Sequence, residues 1–361
     1  MIKEYACSVI GKSHLRSLPL RACQDAYRVL TLPNGYKVAA AADGVGSCKH
    51  ADRGAQIAVK TVTDFIRDNY PLDGQSIPIK SMIRTAYSRA LIEIQKEAER
   101  NHNPLSDYDT TLMVAIFGGE TLYWGHVGDG GIVVLKSDGS YVELSERQNV
   151  DGMVFPLRAG YKFWQINELN EPIASVFLAT DGMMDKLRNT GLDQGFYVPL
   201  LMMLADPNVI HYLKKKWVDI SEIVTHGHTK YNKTLLNAFY YALHKRYHFD
   251  KAVAAKLTYD IMVNQTPFDL LAEIQDDKTF VCVYDTTAPL AAQKILYYAE
   301  PNWKLVYENL QKKLYPGLYE EAPQTAKLDE ADFVPSQPFE QPIKREKGLL
   351  SRTILRIWKH G

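Results

Sequence analysis

Short apolar runs separated by turn signals occupy most of the first 190 residues of the chain. One such run, at 36–42, follows a Pro-Asn-Gly turn signal and predicts a strand. Further runs of the same kind predict strands at 111–117, 121–126, 132–135, 141–144, 176–179 and 279–284. Apolar residues within 55–66 and 80–100 recur instead at helical spacing, which predicts two amphipathic helices. Strands on both sides of a helix pair indicate an α+β layered fold and not a regular βαβ alternation.

The chain changes character twice after residue 190. Residues from about 190 to 270 are rich in Leu, Lys and Tyr and mostly helical in pattern, which predicts a helical insertion. After residue 286, a helical extension is expected at 287–319, followed by a proline- and acid-bearing linker at 320–343. The last segment, 344–361, has the pattern of a basic amphipathic helix. Such a helix can lie on an anionic membrane surface, dock on a partner or pack back onto its own domain, and the pattern leaves these alternatives open.

The composition is that of an ordinary globular protein, and it reduces the number of function classes to consider. The 361 residues are 46% hydrophobic and 23% charged, which suits one large domain with extensions or two domains. A formal net charge of zero provides no basic field that would gather nucleic acid, so no nucleic-acid partner is expected. The four cysteines form no CxxC pair, which disfavours a zinc site and suits reduced thiols in the cytosol. Because neither a signal peptide core nor a run of about 18 apolar residues occurs, a cytoplasmic protein is expected.

Several of the predicted strands are followed or preceded by an aspartate, often with glycine beside it. These aspartates are Asp25, Asp43, Asp129, Asp181, Asp276 and Asp277. A single Asp-Gly pair is most simply a turn, but its recurrence beside apolar strands predicts carboxylates that project from strand ends into one cleft. Such a concentration of negative charge is tolerable only when cations neutralise it. Oxygen ligands without His or Cys suit Mg²⁺ or Mn²⁺ and disfavour zinc.

Six stretches of the sequence occur in an order known from one enzyme family. They are CQDA (23–26), AADGVGS (41–47), DTTLMVAIF (109–117), GHVGDGG (125–131), LATDGMMD (178–185) and DDKTFVCVYD (276–285). Each stretch alone is weak evidence, but together they resemble the motif set of type-2C metal-dependent protein serine/threonine phosphatases, over residues 1–286. The GKSH at 11–14, taken with CQDA, is similar to a bacterial branch of that family.

The resemblance implies a four-layer α-β-β-α sandwich as the catalytic domain, with a pair of Mn²⁺ or Mg²⁺ ions between the two sheets. It also implies hydrolysis of phosphoserine and phosphothreonine by a metal-activated water, with phosphoproteins and a Ser/Thr protein kinase as partners. By position, the implied ligands are Asp43, which would bridge both ions, the Gly44 carbonyl, Asp181, Asp276, Asp25 through a water, and Asp129, with Asp185, for a third, weaker ion.

One departure from the family pattern concerns the phosphate-binding arginine. That residue usually lies five positions before the first acidic motif residue, and here the position is Leu20. Arg21 is one residue away, Arg16 and His14 are close, and either Arg21 or His14 is expected to bind the substrate phosphate. Asp277 is a milder departure, because the family usually has asparagine there, and it should leave Asp276 functional.

A second departure concerns the general acid. Many members of the family carry a histidine directly after the first Asp-Gly, where this chain has Val45. Lys49, His50 or a metal-bound water are the remaining candidates for protonating the leaving group. The missing histidine and the displaced arginine keep a rival hypothesis open, in which the fold is a pseudophosphatase or a scaffold that binds phosphoproteins or a kinase without turnover.

Overall fold

Two antiparallel sheets of five strands each form the centre of the protein. The computed structural model describes residues 1–17, 21–71, 78–188, 196, 198–226, 233–246, 248–255, 258 and 274–290. Sheet I contains β2 Asp25–Thr31, β3 Lys37–Asp43, β4 Leu112–Phe117, β5 Thr121–Val127 and β10 Gln165–Asn170, in the spatial order β10-β5-β4-β3-β2. Sheet II contains β1 Ile2–Val9, β6 Gly131–Lys136, β7 Tyr141–Glu143, β11 Ile173–Ala179 and β12 Lys278–Asp285, in the order β1-β12-β11-β6-β7. A separate hairpin pairs β8 Asn149–Val150 with β9 Met153–Val154.

The continuous apolar runs of the sequence form strands that are buried on both faces. In β3, Ala39 and Ala41 belong to the core between the two sheets. Val38 and Ala40, on the other face of the same strand, belong to the core beneath the helices that cover sheet I. Double burial removes the need for polar alternation. The strands predicted from these runs are confirmed to within a few residues at 36–42, 111–117, 121–126, 132–135, 141–144, 176–179 and 279–284.

Two long helices cover the outer face of sheet I. After the short helix α1 Lys12–Leu15, these are α2 Ala51–Asn69 and α3 Ile79–Arg100. Their buried stripes consist of small and branched apolar residues, which include Ala55, Ala58, Val59, Val62 and Ile66 of α2 and Ile83, Ala86, Ala90 and Ile94 of α3. The Tyr87 hydroxyl donates a hydrogen bond to the Leu112 carbonyl at 3.2 Å and so ties α3 to β4. Both predicted amphipathic helices are confirmed.

Shorter helices cover the outer face of sheet II and complete the α-β-β-α sandwich. They are α4 Asp181–Leu187, α5 Val198–Ala205, α6 Pro207–Lys215, α7 Ile220–His226 and α8 Lys233–Tyr241, followed by a π-helical turn at Ala242–Arg246. Short 3₁₀ turns occur elsewhere at Leu105–Tyr108, Leu157–Ala159 and Tyr161–Phe163. Apolar side chains of α5, α6 and α8 share one core cluster with the outward side chains of β11 and β12. The segment predicted as a helical insertion therefore supplies the fourth layer of the fold.

The predicted C-terminal elements lie almost wholly outside the described residues. The extension at 287–319 is described only to residue 290, and the linker at 320–343 and the basic helix at 344–361 are not described. Among the helices of the described part, none combines the length and apolarity needed to cross a bilayer.

A buried hydroxyl between α5 and sheet II makes the packing of the fourth layer testable. Ser175 of β11 is fully buried, and its hydroxyl donates to the carbonyl of Ala205 at 2.7 Å. Ser175→Ala removes this hydrogen bond and leaves the Ala205 carbonyl with a long 4.0 Å contact from Cys282 Sγ, so we expect the free energy of unfolding to fall by about 1–3 kcal/mol. Urea unfolding followed by circular dichroism measures the change.

The matched control for this prediction is Ser88→Ala, which removes an exposed hydroxyl bonded within α3. It should shift the urea midpoint little, since the Arg84 carbonyl stays accessible to water. Equal midpoints for wild type and Ser175→Ala would show that α5 does not depend on this contact.

Candidate active site

Strands from both sheets end at one edge of the sandwich and carry carboxylates toward each other. Asp43 is the last residue of β3, and Asp129 lies in the loop that follows β5, both in sheet I. Asp181 follows β11 of sheet II and is the first residue of α4. Carboxylate oxygens of these three aspartates lie within 4.8 Å of one another. The convergence predicted for the strand-end aspartates is present for these three residues.

Hydrogen bonds to the neighbouring strand fix the position of Asp43. The Asp43 amide donates to Thr111 Oγ1 at 2.9 Å, and the Asp43 carbonyl accepts from the Thr111 amide at 2.8 Å. Thr110 Oγ1 donates to the same carbonyl at 2.9 Å. At the next position a side chain is excluded, since a Cβ on Gly44 would lie 2.6 Å from the backbone of Ala51, at the start of α2. Glycine therefore allows α2 to begin directly behind the aspartate.

Asp25 is placed beside Asp43 by the pairing of β2 with β3. The two residues are opposite each other in the antiparallel register. Asp25 is buried, and its carboxylate accepts a hydrogen bond from Thr180 Oγ1 at 2.8 Å. Thr180 Oγ1 also accepts from the amide of Thr279 at 3.1 Å, so one hydroxyl links β2 of sheet I with β11 and β12 of sheet II. This link holds the two sheets together at the site.

The two aspartates before β12 have different surroundings. Asp276 is accessible to solvent, and its carboxylate accepts the amide of Asp277 at 2.8 Å. Asp277 is buried, and its carboxylate lies 3.0 Å from His14 Nδ1. A side chain at Gly182 of α4 would collide with the Asp277 carbonyl, so this glycine allows α4 and the start of β12 to meet closely.

Crowding and burial make the carboxylates costly to ionise. Burial raises the pKa of Asp43 well above its usual value, and the charges of Asp25 and Asp181 raise it further. Burial and the neighbouring Asp129 raise the pKa of Asp181 to about 7. Burial also raises the pKa of Asp25. Asp276 remains open to water, yet enough protein surrounds it that desolvation raises its pKa as well.

The donor set at this edge fits hard divalent cations. It consists of the carboxylate oxygens of Asp43, Asp129 and Asp181, with the charges of Asp25 and Asp276 acting on Asp43. Such oxygen donors are preferred by Mg²⁺ and Mn²⁺ over zinc. Mutually repelling, partly buried carboxylates also favour a cation that neutralises them. The residues present therefore fit the divalent ions expected from the sequence.

The loop that carries Asp129 is held by side chains from two distant segments. Asn149 Nδ2 donates to Asp129 Oδ2 at 2.9 Å. Arg188, at the end of α4, donates to the Gly130 carbonyl at 3.1 Å and forms an ion pair with Glu143. These contacts give Asp129 a defined position.

The carboxylate of Asp185 forms ion pairs with two arginines. Its carboxylate lies 3.1 Å from Arg147 Nη1 and 3.7 Å from Arg188 Nη1. Because these ion pairs already engage the carboxylate, the structure does not favour the expectation that Asp185 helps to hold a third ion.

The structure separates the two candidates for binding a substrate phosphate. Arg21 is exposed, and its guanidinium donates to the carbonyl of Gly46 at 3.4 Å, in the loop that follows Asp43. His14 is buried, and its ring is bonded to Asp277. Of the two, only Arg21 has a side chain exposed beside the site.

The contacts of the candidate residues do not support the role of general acid for any of them. Val45 carries no ionisable group, and its amide donates to the carbonyl of Asp109 at 2.9 Å. His50 accepts from Asn103 through Nε2 at 3.1 Å, and its ring stacks on that of Tyr108. Lys49 is exposed. No described contact orients either basic residue toward the carboxylates.

Four residues that organise the site were not anticipated from the sequence. Thr111 and Thr180 stand beside motif aspartates, in DTTL and LATDG, so their positions in the motifs were a usable signal. Asn149 and Arg188 lie far along the chain from Asp129, and no local pattern indicates their contacts.

Comparison with known proteins identifies the family of this chain. A family model described as Protein phosphatase 2C matches residues 10–217, more than half of the chain. The matched segment includes Asp25, Asp43, Asp129 and Asp181, whereas Asp276 lies beyond it. No curated protein matches the sequence.

Several solved structures of bacterial phosphatases are similar to the fold at low sequence identity. The serine/threonine phosphatase PstP/Ppp of Mycobacterium tuberculosis has a TM-score of 0.47 and 15% identity, covering 78% of this chain and 98% of that chain. Stp1 from Staphylococcus aureus has a TM-score of 0.42 and 12% identity, covering 79% of this chain and 95% of that chain. The serine/threonine phosphatase of S. agalactiae has a TM-score of 0.47 and 14% identity, covering 79% and 99%. On the extent of the family match, the chain belongs to the protein phosphatase 2C family.

Proposed function

We propose that the protein hydrolyses phosphoserine and phosphothreonine in phosphoproteins, and that two Mn²⁺ or Mg²⁺ ions are required. The observation that carries this proposal is the meeting of Asp43, Asp129 and Asp181, whose carboxylate oxygens lie within 4.8 Å of one another. Membership in the protein phosphatase 2C family supports it. A Ser/Thr protein kinase that generates the phosphoprotein is the expected partner.

Each aspartate has a separate task in this proposal. Asp43, the Gly44 carbonyl, Asp181 and Asp276 would hold the ion pair, Asp129 would hold a third, weaker ion, and Asp25 would act through a water. Bound ions of this kind lower the pKa of water and neutralise charge on phosphate oxygens. Asp25 suits an indirect role because it is buried behind Asp43 and already accepts a hydrogen bond from Thr180.

Arg21 would bind the substrate phosphate. Its guanidinium is exposed next to the loop that follows Asp43, and a guanidinium matches phosphate oxygens with paired hydrogen bonds. Because Val45 cannot donate a proton and His50 is engaged by Asn103, no side chain is assigned as the general acid.

A pseudophosphatase is the second candidate function. Val45 and Leu20, which replace a histidine and an arginine of the family pattern, favour it. Retention of the aspartate cluster weighs against it, because partly buried carboxylates in mutual repulsion destabilise a protein that binds no cation. Turnover of a phosphopeptide separates the two candidates.

The metal requirement gives the first test. With a phosphothreonine peptide, release of inorganic phosphate should stop in excess chelator and return on addition of Mn²⁺ or Mg²⁺. Zn²⁺ should restore far less, because hard oxygen donors do not select it. Full turnover in chelator would refute the proposed mechanism, and binding of Mn²⁺ without turnover would favour the pseudophosphatase.

Removal of one central charge gives the second test. Asp43→Asn should lower kcat/KM by more than about 10³-fold, which corresponds to roughly 4 kcal/mol of lost transition-state stabilisation. In chelator at pH 8, the same change should raise the melting temperature by at least about 2 °C, since a neutral amide relieves the repulsion. Phosphate release and calorimetry measure the two effects.

The rise in melting temperature caused by Asp43→Asn should be larger at high pH than at low pH. The folded protein holds protons on Asp43 and Asp181 at pH values where the unfolded chain has lost them, so metal-free stability falls as pH rises above about 4. The advantage of Asp43→Asn should therefore shrink between pH 8 and pH 5. The control Asp138→Asn alters a carboxylate in a distant turn and should change neither activity nor this pH dependence. Retained activity in Asp43→Asn would refute its assignment.

A further inference from the structure

The buried carboxylate of Asp277 forms hydrogen bonds with several residues of the N-terminal segment of the chain. Only 2% of the residue is exposed. Its Oδ1 accepts the amide of Gly11 at 2.7 Å, and its Oδ2 accepts the amide of Gln24 at 2.6 Å. His14 Nδ1 lies 3.0 Å from Oδ1 and 3.1 Å from Oδ2. Three nitrogen groups from residues 11–24 thus meet one side chain from the far end of the domain.

Replacing the Asp277 carboxylate with an amide would cost one of its hydrogen bonds. The amides of Gly11 and Gln24 only donate, and they approach different oxygens of Asp277. An asparagine side chain offers one oxygen and one NH₂ group, so one of these amides would face another donor. The carboxylate of Asp277 can accept on both oxygens, and the Nδ1–H tautomer of His14 gives it a third donor.

The contacts continue from His14 to Arg21. The hydroxyl of Ser17 donates to the His14 carbonyl at 2.7 Å. The same hydroxyl accepts from the amide of Arg21 at 3.0 Å. One end of the segment that carries the candidate phosphate ligand is therefore connected to Asp277 through three hydrogen bonds, by way of Ser17 and His14.

The other end of the segment is tied directly. The amide of Gln24, the residue before Asp25, donates to Asp277. The Gln24 carbonyl accepts the amide of Gly44 at 3.1 Å, and its side-chain amide reaches the Cys48 carbonyl at 3.4 Å. Displacement of Gln24 would disturb both Asp25 and the loop after Asp43.

We propose that Asp277 and His14 are positioning residues, which fix residues 11–17 and 21–25 so that Arg21 and Asp25 lie beside the aspartate cluster. The tasks of Arg21 and Asp25 rest on the proposed function, whereas the structural coupling does not. His14 acts through its bond to Asp277 and is not itself a phosphate ligand.

Hydrogen exchange on the metal-free protein tests the coupling without any assay of activity. His14→Leu removes the donor to Asp277, whereas His14→Asn keeps an N–H group near the position of Nδ1. Peptides that cover 8–25 should exchange at least about tenfold faster in His14→Leu and near the wild-type rate in His14→Asn, while peptides from β3 and β4 remain protected. A tenfold change corresponds to about 1.4 kcal/mol of local opening free energy.

Two further variants keep this test decisive. His211→Leu makes the same substitution at an exposed histidine of α6 and should leave exchange in 8–25 unchanged. Ser17→Ala breaks only the connection to Arg21, and serves if His14→Leu does not fold; it should accelerate exchange at Arg21 and leave Gln24 protected. Unchanged exchange at 8–25 in folded His14→Leu, or at Arg21 in Ser17→Ala, would overturn the proposal.

Kinetics with a phosphothreonine peptide test the effect on the site. His14→Leu should raise KM about tenfold with a smaller change in kcat, because a displaced Arg21 loses binding that is common to ground and transition states. His14→Asn should restore KM to within about twofold of wild type. In the double variant with Arg21→Ala, the two effects on KM should not add, since both remove the same interaction.

The outcomes separate the alternatives. If His14 bound phosphate directly, His14→Asn would fail as fully as His14→Leu, and Arg21→Ala would act independently. If the wild-type protein shows no turnover, the proposed function fails, but the exchange rates still decide whether Asp277 and His14 fix the segment.

Discussion

Mutual repulsion among carboxylates at one edge of the sandwich is the constraint on which the rest of the site depends. The carboxylates of Asp43, Asp129 and Asp181 meet there, and Asp25 and Asp276 are close enough for their charges to act on Asp43. Burial together with this mutual charge raises the pKa of Asp43, Asp25 and Asp181. Left to themselves, such side chains would turn toward water or take up protons. In the proposed function, divalent cations would relieve the repulsion, and the backbone would hold the carboxylates in place for them.

The two-sheet architecture supplies that restraint. Asp25 and Asp43 come from sheet I, and Asp181 and Asp276 come from the end of sheet II, so the site exists only when the sheets are packed face to face. Alanines on β3 and the glycines beside Asp43 and Asp181 let backbone elements approach closely. The hydroxyl of Thr180 bonds across the junction between the sheets. The stability of the apolar cores thereby opposes the repulsion at the edge.

The elements that sequence patterns predicted well are those with both faces buried or with a strong helical period. β3, β4, β11 and β12 are continuous apolar runs, and α2 and α3 repeat apolar residues at helical spacing. β1, β2 and β10 carry mixed, partly exposed side chains, so no simple alternation marks their bounds. The same limit applies to the layer over sheet II, because a helical pattern shows which residues are apolar and not what they cover.

The aspartates were predictable because strand ends and motif order both indicate them. Their supporting contacts were not. His14 and Asp277 are separated by 263 positions along the chain, and Asn149 reaches Asp129 from the β8–β9 hairpin, so only the folded structure brings them together. The sequence suggested His14 as a phosphate ligand because it lies near Arg21, whereas its burial and its bond to Asp277 indicate a supporting role. Likewise, an aspartate at 277 resembled a mild replacement for asparagine until its two backbone donors were located.

The central claim, that the converging aspartates form a two-ion centre, is tested most directly by anomalous diffraction from crystals soaked in Mn²⁺. Two strong Mn²⁺ peaks are expected among Asp43, Asp181 and Asp276, with a weaker third peak beside Asp129 at higher concentration. Absence of peaks at these carboxylates in well-diffracting crystals, or peaks only at other surface sites, would contradict the claim.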